Sequence, residues 1–265
     1  MMRRGGWPAV GLVLGALALV GCAGARVDLA AGTLPPLARV EAPLPARLLV
    51  PPIEDGREPQ DREGHTGLFL RGVGDAGFTE DVPGAVTALL RRRLGEAGLF
   101  AELRGLSPGE SSEPVGTPPP GGSSLLLRGR LATLSGERDT QLTPIISLVA
   151  LPLVIPMAIA GAVRVLPTPI GALVPVTYVG KAVLEVELVD AETEAVLWRR
   201  EVEGIARREV EGWNDLFASG QSRMAEMARE ALDKAVTTVV SALAFEVTRP
   251  PTEPGTPSRA GVRGR

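Results

Sequence analysis

His65 is the only histidine of the chain and Cys22 its only cysteine. Histidine-cluster metal sites and internal disulfides are therefore outside its chemistry. A Ser–His–Asp triad would have to use His65, which lies between Gly64 and Thr66 in loop-like sequence, and no G-x-S-x-G, Walker or H-E-x-x-H pattern accompanies it. The remaining chemistry rests with carboxylates. Residues 54–81 carry Glu54, Asp55, Glu58, Asp61, Glu63, Asp75, Glu80 and Asp81 against Arg57, Arg62 and Arg71. Paired carboxylates can run hydrolysis, and oxygen ligands can hold calcium, but Asp61, Glu63 and Asp75 do not reproduce a calcium-loop spacing. Charged loops are usually solvated, so the expectation is a surface for a partner, with no catalytic, cofactor or metal residue assigned.

The elements that must position such residues begin at the N-terminus. Arg3 and Arg4 precede an apolar run over 11–20, too short to span a bilayer, which reads as a secretory signal over 1–21. The run closes on Leu19-Val20-Gly21-Cys22, which resembles the lipobox of bacterial lipoproteins. That resemblance implies cleavage before Cys22, attachment of diacylglycerol to its sulfur and acylation of the freed amine with a chain such as palmitate. Three acyl chains would anchor the protein firmly, at about 0.8 kcal/mol per buried methylene. Ala23, rather than Asp, follows the cysteine. By analogy with enterobacterial sorting this implies the outer membrane, periplasmic face, with the inner membrane or the cell surface as alternatives.

The chain has 265 residues, 45% hydrophobic and 22% charged, which suits a single folded domain with irregular ends. There are 28 basic and 31 acidic residues; cleavage removes Arg3 and Arg4 and no acid, leaving a balance of −5. Nucleic acid is thereby disfavoured as a partner, since phosphate binding needs a basic face.

A Pro-, Gly- and Ala-rich stretch over 22–45 reads as a flexible tether, and 46–247 as one α+β domain. Within it, 47–50 reads as a strand and 53–81 as a long loop. A helix is expected from N-cap Asp81, through Pro83 in the first turn, to Gly98, with Arg91, Arg92 and Arg93 facing water. Strands are expected at 99–103 and 125–131, separated by a breaker-rich loop over 107–122. Ala182, Leu184, Val186 and Leu188 alternate with Val183, Glu185 and Glu187. A turn at 190–194 returns the chain through Val196, Trp198 and Val202, which makes a hairpin. A long amphipathic helix over 219–245 buries Met224, Met227, Ala228, Ala231, Leu232, Ala235, Val236, Val239 and Leu243, with Asp233 outside the stripe. Residues 248–265 read as a disordered tail. The fold class is then a two-layer α+β sandwich, a mixed or antiparallel sheet of about four to five strands with two helices on one face.

An apolar insert over 144–178 interrupts this order, and 145–163 carries no charge. Pro152 and Pro156 would break a spanning helix there. Burial within the fold, contact with lipid or a partner, and a membrane-crossing role in an oligomeric pore all remain open. Ile145, Leu148, Leu151, Val154, Ile155 and Ile159 are the candidate contact residues.

The segments Leu89-Leu90, Leu94, Gly98-Leu99-Phe100 and Val186-Glu187-Leu188-Val189-Asp190, followed by Val196-Leu197-Trp198, resemble small bacterial envelope lipoproteins of the CsgG, LpoB, PelC and TolB N-terminal-like α+β fold. The resemblance implies a non-enzymatic accessory or assembly subunit of an envelope complex for export, transport or cell-wall synthesis. Its partners would be the membrane, through the acyl chains, and an envelope protein or further copies of itself. Two alternatives stand beside it: an oligomeric export or pore component using the insert, and a carboxylate hydrolase using 54–81.

Overall fold

The computed structural model describes residues 26–31, 37–64, 72–107, 122–139, 176–210 and 220–248. In order, its elements are β1 (Leu44–Val50), β2 (Glu54–Asp55), α1 (Pro59–Glu63), a 3-10 turn (Asp75–Gly77) and α2 (Val82–Ala97). There follow β3 (Phe100–Gly105), β4 (Ser124–Asp139), β5 (Val176–Asp190), β6 (Val196–Val210) and α3 (Gly220–Thr248). The strands form one open sheet in the order β3-β1-β4-β5-β6, with the two-residue β2 added beside β4. β1 runs parallel to β3 and β4, while β4, β5 and β6 form an antiparallel meander. This is the expected α+β class.

Alternation decides which face is dry. Ala182, Leu184, Val186 and Leu188 on β5 are buried, and α3 buries every residue of its expected stripe. Asp81 caps α2 by accepting from the Gly84 N–H at 3.0 Å, and Gly98 closes the helix at φ +60°. The hairpin between β5 and β6 pairs Leu188 with Trp198 and Leu184 with Val202.

α3 lies unusually close to the sheet. Gly136 of β4, Gly180 of β5 and Gly204 of β6 sit beneath it, and a β-carbon at any of them would run into the carbonyl oxygen of Met224, Met227 or Ala231 respectively. With the small faces of Ala225, Ala228, Ala231 and Ala235, these glycines let the helix backbone seat directly on the strands.

Several expectations are corrected. Of the three arginines placed in water, Arg91 donates to the carbonyls of Val50 and Leu106 at 2.6 and 2.7 Å, and Arg93 is buried beside Glu96 and Thr237. Their guanidinium groups satisfy strand ends and the helix joint, which a helical wheel does not reveal. Asp233 is buried rather than outside the stripe. The strands run further than expected: β4 reaches Asp139, and β5 starts at Val176, so Val176 and Tyr178 belong to the sheet and not to the insert. The supposed loop over 53–81 holds β2, α1 and the 3-10 turn. Within the supposed tether, Leu44 and Pro45 open β1, while Val27 and Leu29 are buried in the core. Isolated apolar side chains in a Pro- and Gly-rich stretch were sufficient to dock it.

The antiparallel meander has two ends. At one, the chain reverses between Asp190 and Val196. At the other, Asp139 pairs with Thr177 and Val176 with Val210, so β4, β5 and β6 finish together, close to the start of α3. These are called the turn end and the open end.

Candidate functional site

The loop acids are drawn into the fold through Arg57, whose side chain is 1% exposed. Its Nε donates to Asp55 Oδ1 at 2.9 Å, and its Nη1 donates to Asp75 Oδ1 at 2.7 Å. The hydrogen bond from Arg57 holds the Asp55 carboxyl below the usual carboxylate range. Asp81 is committed to the α2 cap. Asp55, Asp75 and Asp81 thus brace the segment that returns to α2. Among the described residues, no group of three or more His, Cys, Asp or Glu could hold a metal ion.

That braced segment receives the N-terminal chain. The Val27 N–H donates to the Gly77 carbonyl at 2.9 Å, and the Val27 carbonyl accepts from the Thr79 N–H at 3.2 Å. Leu29 is fully buried, and Arg92 donates to the Ala30 carbonyl at 2.8 Å. Asp28 folds its carboxylate back onto the Ala30 and Ala31 N–H groups at 2.7 and 3.0 Å. Beside it, burial and the Asp28 carboxylate together push the Glu80 carboxyl up.

At the open end a cleft of about 480 Å³ is lined by Tyr178, Arg208, Val210, Ser222, Arg223, Glu226 and Met227. The Arg223 guanidinium carbon stands 6.0 Å from the centre of the Tyr178 ring, within reach of a cation–π attraction. Arg208 bridges to Glu226 at 3.4 Å and to Glu230 at 3.2 Å, tying β6 to α3. The sequence reading missed this cleft. A usable signal was the chain's single tyrosine, only two residues beyond the start of a strand that faces Arg208 on the next.

The second exposed feature is β6. Among the described residues it is an edge strand, 15 residues long, and its face away from the helices carries Leu197 and Ile205, 55% and 49% exposed, among Arg199, Glu201, Glu203 and Arg207. Edge strands of that length are usually shielded. Here Lys234 of α3 reaches over and donates to the Ile205 carbonyl at 3.2 Å. An edge with a mixed-charge row and two apolar points can take a protein strand or a flat protein face.

Cys22, Leu19, Val20 and Gly21, His65, and the insert residues Ile145, Leu148, Leu151, Val154, Ile155 and Ile159 lie outside the described residues. So do the tail beyond 248 and the loop over 108–121. No described helix is long and apolar enough to cross a membrane.

No family model matches the chain, and no curated protein matches it. Solved structures similar to it include a Xanthomonas campestris protein, XCC0632, of the family DUF330, at 10% identity over 84% of this chain and 93% of that one, with a TM-score of 0.41. The PelC dodecamer from Paraburkholderia phytofirmans is similar at 14% identity, over 78% and 93%, with a TM-score of 0.30. The lipoprotein GNA1162 from Neisseria meningitidis is similar at 13% identity, over 75% and 98%, with a TM-score of 0.30. At such identities and scores, none of these similarities assigns this chain a role.

Proposed function

We propose that this chain is a lipid-anchored envelope protein, held in the outer membrane through Cys22 and facing the periplasm. It acts without catalysis, as an accessory or assembly subunit that holds another envelope component. The observation that carries this reading is β6: a long, half-exposed edge strand on a rigid sheet is binding geometry, while Asp55, Asp75 and Asp81 of the acidic segment are engaged in structure. A photo-crosslinking residue in place of Ile205 tests it in intact cells. The expected result is a discrete adduct with one envelope protein or with a second copy. An Ile205 probe that forms no adduct in membrane-anchored protein, together with turnover of an envelope substrate that is lost in Asp61→Ala or Glu63→Ala, would favour the hydrolase instead.

A second reading, an oligomeric export component using the apolar insert at the membrane, draws on where that stretch leaves the fold. Asp139 and Val176 are adjacent at the open end, the end that also receives Val27. Deleting 144–175 keeps every described strand intact. Loss of oligomer or membrane association in that variant, with folding retained, would support this second reading over the first.

A further inference from the structure

Two facts about different parts of the chain meet at the open end. The first is a covalent length. Val27 is fixed by backbone hydrogen bonds to Gly77 and Thr79. Five residue steps separate it from Cys22. At roughly 3.6 Å per fully extended residue, the Cys22 α-carbon cannot stand more than about 18 Å from Val27. The expected tether of two dozen residues is thus reduced to a short leash.

The second fact is the place to which the leash is tied. Gly77, which accepts from Val27, lies against Ala225 in the early part of α3: a β-carbon built on Gly77 comes 3.7 Å from that of Ala225. Val73 of the same segment donates to the Gly136 carbonyl, three residues before β4 ends, and Gly72 bridges to Glu137. The leash is therefore fastened where β4, β5 and β6 finish and α3 begins. Asp190 pairs with Leu125, eleven residues of β4 from Gly136, so the turn lies on the order of 36 Å away at about 3.3 Å per residue.

We infer that the open end of the sheet rests on the lipid surface and that the Asp190–Ala195 turn points away from it. This rests on the lipoprotein reading proposed above. A leash of at most about 18 Å is shorter than the distance from its attachment to the turn, so it holds the open end nearer the lipid than the turn end. Away from this end the outward row of β6 carries Arg199, Glu201 and Glu203, a face of alternating charge that stays in water, whereas the open end carries Arg207, Arg208 and Arg223, guanidinium groups suited to lipid phosphates. Residues 140–175 leave the described fold at this same end, and the uncharged run 145–163 is part of them. Apolar sequence of that length favours cover over water. The occupant of the open end is thus a bilayer, and the β6 edge stands upright beside it, open to a partner at the membrane surface.

The test uses the lipidated full-length chain in vesicles of phosphatidylethanolamine and phosphatidylglycerol containing a nickel-chelating lipid. A nitroxide is attached at Glu209→Cys, at the open end, or at Glu192→Cys, at the turn end; both side chains are solvent-exposed. The expected result is a several-fold greater relaxation by headgroup nickel at 209 than at 192. A long Gly–Ser spacer inserted between Ala25 and Arg26 should reduce that ratio markedly. Equal relaxation at the two sites, a reversed order, or a ratio indifferent to the spacer would overturn the inference while leaving lipidation intact. An unmodified Cys22 in the mass spectrum of the same preparation would remove both the inference and the lipoprotein reading.

Discussion

The two ends of the β4–β6 meander use their residues in opposite ways. At the turn end the reversal is set largely within six residues, and the Ala191 N–H adds a bond to the Ser124 carbonyl at 2.9 Å. Asp190 Oδ1 accepts from the N–H groups of Glu192 and Thr193 at 3.0 and 2.9 Å and from the Thr193 hydroxyl at 3.0 Å, while Glu194 takes the left-handed conformation at φ 56°. The Thr193 N–H, above all, keeps the Asp190 carboxyl below its ordinary range. At the open end the described residues contain no turn between the strands. Long-range contacts hold the end together: Val27 on Gly77, Gly72 on Glu137, and Arg208 on Glu226 and Glu230. Local chemistry sets the reversal at the turn end, and Val189 and Ala191 then pack on Leu49, Leu106 and Leu126. The open end, built from distant pieces, holds the cleft and is the end that we infer meets the lipid surface.

The largest perturbation should come from Gly180→Val. Its side chain would strike the Met227 carbonyl, a backbone atom that cannot swing aside. The helix must lift from the sheet near the open end, and a loss of more than about 3 kcal/mol is expected in urea unfolding. Next is Arg57→Ala, which unbraces the segment that receives Val27, at a cost of about 2 kcal/mol near neutral pH. Because Asp55 is depressed in the folded state, its share of this stability is present above the unfolded value of 3.8 and is lost as pH falls through the lower folded value. Denaturation at a series of pH values should therefore show wild type and variant converging in acid.

Asp233 sharpens the comparison because it lies between the ends, buried where α2 and α3 meet, with Arg92 and Arg93 of one helix and Arg229 and Glu230 of the other acting on it. Burial pushes its carboxyl up to about 6, against the pull of those arginines. An acid raised in the folded state costs stability when it ionises, so wild-type stability should fall as pH rises from about 4 to about 7. Asp233→Asn should remove that slope and raise stability by about 2 kcal/mol at pH 8 in thermal or chemical unfolding, with little change at pH 4. Both ends should respond equally, in contrast to the two preceding variants. The smallest effect is expected of Asp190→Ala, which frays the exposed turn and should raise amide exchange at Glu192 and Thr193 without altering exchange at Val27.

Much of the sheet and both long helices were legible because their signals are local. The period-two run at 182–188, the Asp81 cap, the Gly98 stop and the stripe from Met224 to Leu243 each lie within one element. What was illegible depends on partners far along the chain. Arg91 serves carbonyls 41 and 15 residues away, and Leu29 enters a core made by elements it precedes. The glycines at 136, 180 and 204 acquire meaning only when three strands line up under one helix. The cleft has the same origin, since Tyr178, Arg208 and Arg223 come from three elements. The residues expected to carry the anchor and the insert, Cys22 and 145–159, stand outside the described fold, and their role rests on sequence.

On the proposed reading, this sheet works from a lipid surface to which a few residues fasten it. The intact mass of the chain extracted from the membranes of its own cells tests that most directly. The expected species begins at Cys22 and is heavier than its sequence by a diacylglyceryl group and an amide-linked acyl chain. A mass matching the unmodified sequence, with or without the leader, would contradict it.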